Sequence, residues 1–537
     1  MADRFIGVDV GTGSARAGVF DARGTLEGTA KRAIDMVRTD AGHVEQSSAQ
    51  IWRAVCEAVR EAVERAGITA ADVGGIGVDA TCSLVVSGAS AGVGEAGHPE
   101  RDIIVWMDHR ALEQARAINA QGHDVLRYVG GVISPEMQTP KLVWLKENRP
   151  EVYASAAHFF DLTDFLTWKA TGALERSACT VTCKWTYLAH EGRWDESYFR
   201  QIGLGDLADQ NFARIGATVV DPGTALGAGL TPEAARELGL AEGTPVAAGL
   251  IDAHAGGVGT VAASGDATAA LGYVFGTSSC TMTTTAQPAF VPGVWGPYFS
   301  AMVPGMWLNE GGQSAAGAAI DQLIELHPAT EAARLLAAQS GQSLPEWLAG
   351  RALALADDAG GALRLADQLH VVPEFLGNRA PFADPEARAV VAGQGMERGP
   401  DSLVALYVAG ICGLGYGLRQ IVETQSRHGA CVDLIAVSGG AGAHPLTRQI
   451  LADATGLPVE VTECPEPVLL GAAMLGAVAQ GYYPDLPAAM PAMSRVAKRC
   501  TPAGGRVRAL HDARYGAFLA LQQTARDIRT EMAPLLG

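Results

Sequence analysis

Two stretches carry the residues best suited to chemistry. Residues 5–21, FIGVDVGTGSARAGVFD, run a β-prone segment into Asp9, turn through Gly11-Thr12-Gly13-Ser14 and return through a second apolar segment closed by Asp21. That is the pattern of a hairpin with a carboxylate at one strand end. Glycines and small hydroxyls let backbone N–H groups approach an anion closely, and a strand-end acid can hold a hydrated divalent cation beside it. A polyphosphate is the anion that suits both. An ordinary hairpin with glycine-rich turn chemistry uses the same residues, and this stretch alone leaves the two readings open. The second stretch, PVAAGLIDAHAGGVG from Pro245, reads as an apolar strand ending in Asp252, then His254, then a Gly256-Gly257 pair that opens a helix. An acid in that place projects into a crevice beside helix N–H donors, whereas a structural acid more often caps the helix.

Such groups need a large frame. At 537 residues the chain exceeds one hydrophobic core, so two large domains are expected. Its 48% hydrophobic and 18% charged content, with 65 glycines, suits an α/β enzyme rich in tight turns. A formal net charge of −18 argues against a nucleic-acid partner, which clustered Lys and Arg would bind, so any phosphate must be gripped locally. No segment reads as a membrane span, and the N-terminus MADRFIGVDV lacks a basic region followed by an apolar core, so no membrane partner and a cytoplasmic setting are expected. The nine cysteines are scattered apart from Cys179 and Cys183, and are read as reduced thiols rather than zinc ligands or disulfides.

Residues 25–33 suggest a third strand completing a meander, and a helix follows from the Ser47-Ser48 caps to a Gly67 stop. Residues 72–79 form a further strand that feeds Ala80-Thr81-Cys82-Ser83, a polar cluster where open α/β sheets place ligands. Residues 103–110, IIVWMDHR, repeat that form, although Trp106 as core and Asp108 with Arg110 as a local ion pair account for them equally well. The segment from Val258 to Thr268 is rich in small residues and marks a hinge. From Ala269 to Cys280 a strand again runs into Gly276-Thr277-Ser278, echoing the first turn, so an internal duplication is expected. Glu310 precedes Gly311-Gly312 and an expected helix start, where a helix-end acid is the competing reading. Residues 402–425 read as a long helix, and residues 434–437 as a strand entering Ser438-Gly439-Gly440-Ala441.

The order Asp9, Gly11, Thr12, Ser14, Arg16 resembles the first phosphate motif of the FGGY carbohydrate kinases, within the hexokinase and actin superfamily. Gly276-Thr277-Ser278 matches that family's second phosphate motif, residues 434–442 its adenosine motif, and residues 446–459 and 466–477 the rest of its C-terminal region. TPKLVWLKEN from Thr139 is similar to the family's first signature. The resemblance implies an α/β, two-domain actin-like ATPase (ribonuclease H-like) fold, duplicated, with a cleft between the domains. Residues 1–262 would be the N-terminal sugar-binding domain with the first phosphate motif, 263–500 the ATP-binding domain, and 501–537 a C-terminal helical extension.

By the same resemblance, ATP and Mg²⁺ are the cofactors, and Asp252 is the general base that orients and deprotonates the attacking hydroxyl. Asp9 and Asp252 would sit close to the metal, and Gly11, Thr12, Gly13, Ser14, Arg16, Gly276, Thr277 and Ser278 would hold the phosphates. Gly439, Gly440 and Ala441 would take the adenosine end; His444, where relatives often carry Asn, is a departure there. The resemblance nominates Cys82, Lys184, Asp252 and Glu310 for the sugar, Lys184 because ribulokinase-like members place a lysine just before a tryptophan there. The run from residue 103 matches one that lies near the sugar in the family. TCSLV from Thr81 resembles the D-ribulose subgroup, while Gly377-Asn378-Arg379 is shared with L-ribulokinases. The expected activity is phosphorylation of a pentulose at its terminal hydroxyl, with L-ribulose or another pentulose or pentitol as the alternative. Glycerol is disfavoured because the family's Arg-Glu pair for it is replaced by Asp79-Ala80-Thr81-Cys82. A nucleotide-driven clamp acting on a partner protein is the competing class, against which Asp252 and Glu310 speak, and a non-catalytic sensor would have lost Asp9 or Asp252. Oligomeric state is left open, a homodimer included.

Overall fold

A computed structural model describes residues 2–94, 98–356 and 358–536. Two sheets dominate it, and they share one strand plan. In the first, Arg4–Val10 pairs antiparallel with Ser14–Asp21 and parallel with Val73–Ala80; Ser14–Asp21 continues antiparallel into Leu26–Ala33, and Leu250–Ile251 adds a parallel edge beside Val73–Ala80. In the second, Ala270–Phe275 pairs antiparallel with Ser279–Thr285 and parallel with Leu434–Ser438; Ser279–Thr285 continues antiparallel into Trp307–Gln313, and Val459–Thr462 lies parallel beyond Leu434–Ser438. The same meander with the same parallel additions, built twice, is the duplication expected from the two echoing turns.

Local chemistry explains the elements. Gly11 N–H donates to Ser14 C=O at 3.0 Å and Gly276 N–H to Ser278 C=O at 3.0 Å, so each tight turn closes on itself. Helix Ser48–Ala66 starts where the Ser47 hydroxyl accepts Gln50 N–H and ends at Gly67 with φ of 67°, a left-handed cap that glycine adopts without strain. Its apolar face covers the first sheet. Helix Pro400–Arg427 is long and apolar enough to cross a membrane, contrary to the expectation that no segment has that character. Some 78% of its most apolar window is buried inside the protein, so this face belongs to the core of the second half.

The halves are not independent bodies. Helix Pro467–Ala479, late in the chain, lies on the first sheet, and one buried core combines Cys183 and Val258 of the first half with Tyr298, Met302 and Leu469 of the second. The approach is backbone to backbone. A Cβ on Gly7 would lie 1.9 Å from Leu469 O, and one on Gly77 1.8 Å from Ala472 O, so glycine is required in these strands. The chain closes with helix Gly505–Leu536, which packs against helix Pro400–Arg427 and helix Pro445–Thr455.

Candidate active site

Three parallel strands of the first sheet end together, and each delivers an acid to one place. Asp9 lies in register with Asp79, Leu250 pairs with Asp79, and Asp252 begins the helix Asp252–Val258 directly after the short strand Leu250–Ile251. The helix therefore opens at Asp252 itself. Gly256 and Gly257 fall inside it, and a Cβ on Gly257 would meet Met302 Sδ at 2.4 Å. Asp252 accepts its neighbour Ala253's N–H at 2.7 Å and opens on a cavity of about 340 Å³. Burial and the nearby Asp9 push its carboxyl up to about 6. Asp79 is fully buried, and burial beside Asp9 and Asp252 raises it well above the usual carboxylate range.

Both turns reach this cavity. Gly11, Thr12 and Arg16 line it from the first half and Ser278 from the second. The Arg16 guanidinium pairs with Asp9 and, at 2.7 Å, with Glu466, just before helix Pro467–Ala479. Gly13, Ser14, Gly276 and Thr277 complete the turns without lining the cavity. Strand Ala270–Phe275 then separates two spaces by its alternation: Val274 faces the first cavity and Phe275 a second one of about 300 Å³. Gly440, Asp321, Tyr407 and His444 line that second space. Gly439 (φ 90°) turns the chain where a Cβ would lie 2.4 Å from Phe275 O, and Ala441 continues the turn, its side chain lying outside the described residues. His444 serves as a cap, its Nδ1 accepting Leu446 N–H at 3.1 Å at the start of helix Pro445–Thr455.

The opposite wall of the first cavity is polar. Cys82 follows strand Val73–Ala80, Lys184 lies near the end of helix Ala178–Trp185, and Glu310 faces in from the second half. Glu310 is not at a helix start. It sits in strand Trp307–Gln313, opposite Met282, and the next helix begins at Gly317. Gly311-Gly312 serves the sheet instead: a Cβ on Gly312 (φ 142°) would lie 2.0 Å from Ser279 O. Burial alone would raise Glu310, but the hydrogen bond from His254 and the Lys184 charge together bring it down to about 2. Burial would likewise lower Lys184, yet Cys82 and Glu310 hold it well above the usual lysine range.

The wall holds residues beyond those nominated for the sugar, and one of them comes from the run at residue 103. Trp106 is neither core nor part of a full strand, since the strand there is only Ile103–Ile104; its Nε1–H donates to Thr12 Oγ1 at 3.0 Å and its ring lines the cavity. Lys141 fixes it from behind, donating to the carbonyls of Val105 and Trp106 at 3.1 and 3.2 Å. Asp108 and Arg110 do form the local ion pair, at 2.7 Å, joined by Glu45 at 3.1 Å. Glu136, Trp295, Cys280 and Arg379 complete the wall, with the Arg379 and Lys184 cations each 5.5 Å from the Trp295 ring centre. Arg379 carried a sequence signal in Gly377-Asn378-Arg379, and Cys280 closes the run from Ala269 that holds the second turn.

Comparison with known proteins agrees with this architecture. Residues 4–259 match the N-terminal domain model, and residues 271–480 the C-terminal domain model, of the FGGY family of carbohydrate kinases. The chain is 44% identical to an FGGY carbohydrate kinase domain-containing protein of Danio rerio, over 97% of this chain and 98% of that one. It is 38% identical to a D-ribulokinase of Saccharomyces cerevisiae, over 88% of this chain and 72% of that one. The solved xylulose kinase of Rhodospirillum rubrum superposes with a TM-score of 0.79 at 23% identity, covering 98% of this chain and 99% of that one, which shows the two-domain actin-like ATPase fold. The chain belongs to the FGGY family of carbohydrate kinases.

Proposed function

We propose that this protein is an ATP-dependent pentulose kinase that phosphorylates D-ribulose at its terminal hydroxyl, giving D-ribulose 5-phosphate and ADP. The observation that carries the reading is the arrangement around strand Ala270–Phe275: a cavity walled by Asp252, Lys184, Glu310 and Cys82 on one side, a second cavity at Gly440 on the other, and the glycine turns between. The name of the yeast relative supports the choice of sugar. The reading divides the chain at residues 262 and 500, with the hinge between the two matched family domains, and places the protein in the cytoplasm.

In this reading the adenosine end rests at Gly439 to Ala441 and the phosphates lie along the two turns, with Arg16 turning from Asp9 and Glu466 toward them. Lys184 and Glu310 hold sugar hydroxyls, and Cys82 forms a small wall. Asp252 takes the proton of the terminal hydroxyl as its oxygen bonds to the γ-phosphorus and the bond to ADP breaks. Asp9 and Asp252 offer hard oxygen donors suited to Mg²⁺, and their proximity, which raises Asp252, is a repulsion that a divalent cation relieves. When bound, Mg²⁺ supplies charge neutralisation on the phosphate oxygens.

The test is ADP release with D-ribulose, L-ribulose, D-xylulose and glycerol. D-Ribulose should give the highest kcat/KM, and equal or better activity on L-ribulose would sink the sugar choice while leaving the kinase reading standing. Asp252→Asn should lower kcat by roughly 10² to 10⁴ fold with ATP affinity nearly intact; a variant that keeps most of its turnover would remove Asp252 from the base role.

A further inference from the structure

Beneath the sugar-side cavity a buried run of polar groups joins the two halves. His254 has no exposed surface and stands between Cys179 and Glu310, with Nδ1 3.1 Å from Cys179 Sγ and Nε2 3.3 Å from Glu310 Oε2. Cys179 Sγ also accepts the backbone N–H of Ile251 at 3.3 Å, directly before Asp252. Three elements that build the cavity meet here: helix Ala178–Trp185 with Lys184, helix Asp252–Val258, and strand Trp307–Gln313 of the second half. A buried imidazole costs free energy unless its nitrogens are paired, and an apolar side chain would fill the space without desolvating a polar ring, so a histidine held here against a cavity-lining carboxylate points to a role beyond packing. Glu310 keeps 9% of its side chain open and lines the cavity, while one of its oxygens is held by His254.

We propose that His254 is a positioning residue for the sugar, fixing the Glu310 carboxylate so that it meets the substrate hydroxyls, with Cys179 holding the imidazole from behind. The inference rests on the proposed sugar-binding role of Glu310. It adds that the Ile251–Asp252 backbone and the sugar acceptor share one hydrogen-bonded relay, so seating the sugar and aligning the base are coupled. Nothing in the relay contacts the second cavity, so its disruption should be felt by the sugar and not by ATP.

The experiment measures steady-state kinetics with D-ribulose and with ATP, each varied in turn, alongside thermal melting, for His254→Leu, His254→Gln, Cys179→Ala, Glu310→Gln and the His254→Leu/Glu310→Gln double variant. His254→Leu should raise the sugar KM on the order of 10- to 100-fold, the size of losing a hydrogen bond to a charged group, with the ATP KM within about twofold. His254→Gln, which retains an N–H donor, should recover part of the loss, and Cys179→Ala should shift the sugar KM in the same direction by less. The double variant should be no worse than Glu310→Gln alone, because His254 acts through Glu310. A sugar KM unmoved in His254→Leu, or losses that add in the double variant, would overturn the inference. If His254→Leu does not fold, His254→Gln and Cys179→Ala are held to the same criterion. Should Glu310→Gln itself leave the sugar KM unmoved, the sugar-site reading falls and this inference with it; a raised KM there beside unmoved His254 variants overturns this inference alone.

Discussion

Replacing Gly471 with alanine tests whether the helix lying across the two halves sets the position of Asp252, the proposed base. Gly471 lies in helix Pro467–Ala479, where an added Cβ would sit 2.0 Å from the backbone oxygen of Ala255 and 2.8 Å from its carbonyl carbon. Ordinary contact begins at 3.4 Å, so the two helices must part by about 1.4 Å, and neither partner atom is the end of a flexible side chain. In a free helix the change would be favourable by roughly 0.5–1 kcal/mol. Overpacking in a filled interior costs about 1–3 kcal/mol, so the clash wins and the melting temperature should fall by a few degrees. The catalytic consequence is larger. Ala255 is in the first turn of the helix that Asp252 begins, and a displacement near an ångström at a reacting group costs roughly 10²-fold in rate. Gly516→Ala is the control: that glycine lies in helix Gly505–Leu536 with nothing within 4 Å of an added Cβ. It should melt slightly higher and keep its kcat. A Gly471→Ala enzyme that melts and turns over like the wild type, or a Gly516→Ala enzyme that loses as much, would refute the reasoning.

Cys82→Leu places a bulkier side chain in the wall of the proposed sugar cavity and should raise the sugar KM by roughly 10-fold or more while sparing the ATP KM, which initial-rate kinetics will show. Arg16→Ala removes the cation shared by Asp9 and Glu466 and should cost about 10²-fold in kcat if Arg16 turns to the phosphates; unchanged turnover would assign it to structure alone. His511 has no exposed surface, donates or accepts at Tyr416 Oη at 3.0 Å, and is held down to about 4 by burial and then by Arg514. Its unfolded value near 6.5 is higher, so the unfolded chain binds the extra proton between these pH values. Stability should therefore be full above pH 6.5 and fall by up to about 3 kcal/mol as pH drops toward 4, a slope that His511→Phe should flatten in melts at pH 7 and 4.5.

Wherever local pattern and local structure coincide, the chain was readable in advance. The two hairpins announce themselves because glycine and small hydroxyl residues are what a tight turn requires, and Ser47 and Gly67 bound their helix by capping chemistry alone. Readings failed where tertiary packing reassigns a residue. Gly311-Gly312 and Gly256-Gly257 look like helix openings by composition, yet the first pair lies in a strand against the Ser279 backbone and the second inside a helix against Met302. A glycine pair reports that something must come close, and sequence spacing cannot say whether the visitor is a phosphate, a strand or a methionine. The apolar stretch at 400–427 fails similarly, since a core helix and a membrane helix bury the same side chains in different surroundings.

The site shows a sharper division. Asp9, Asp252 and the turn residues lie at strand ends of a repeated plan, where the fold itself brings them together, so each can be picked out from its own neighbourhood. Glu136 reaches the cavity from a stretch that no motif marks. His254 is intermediate. It stands next to the strongest local motif, but its partners Cys179 and Glu310 are 75 and 56 residues away in sequence, and only folding reveals that its two nitrogens connect them. A catalytic group must be recognisable to the reaction and is therefore a conspicuous residue type in a conspicuous place. A group that orients it must only fit the neighbours, so the geometry that makes it useful exists nowhere in the linear chain.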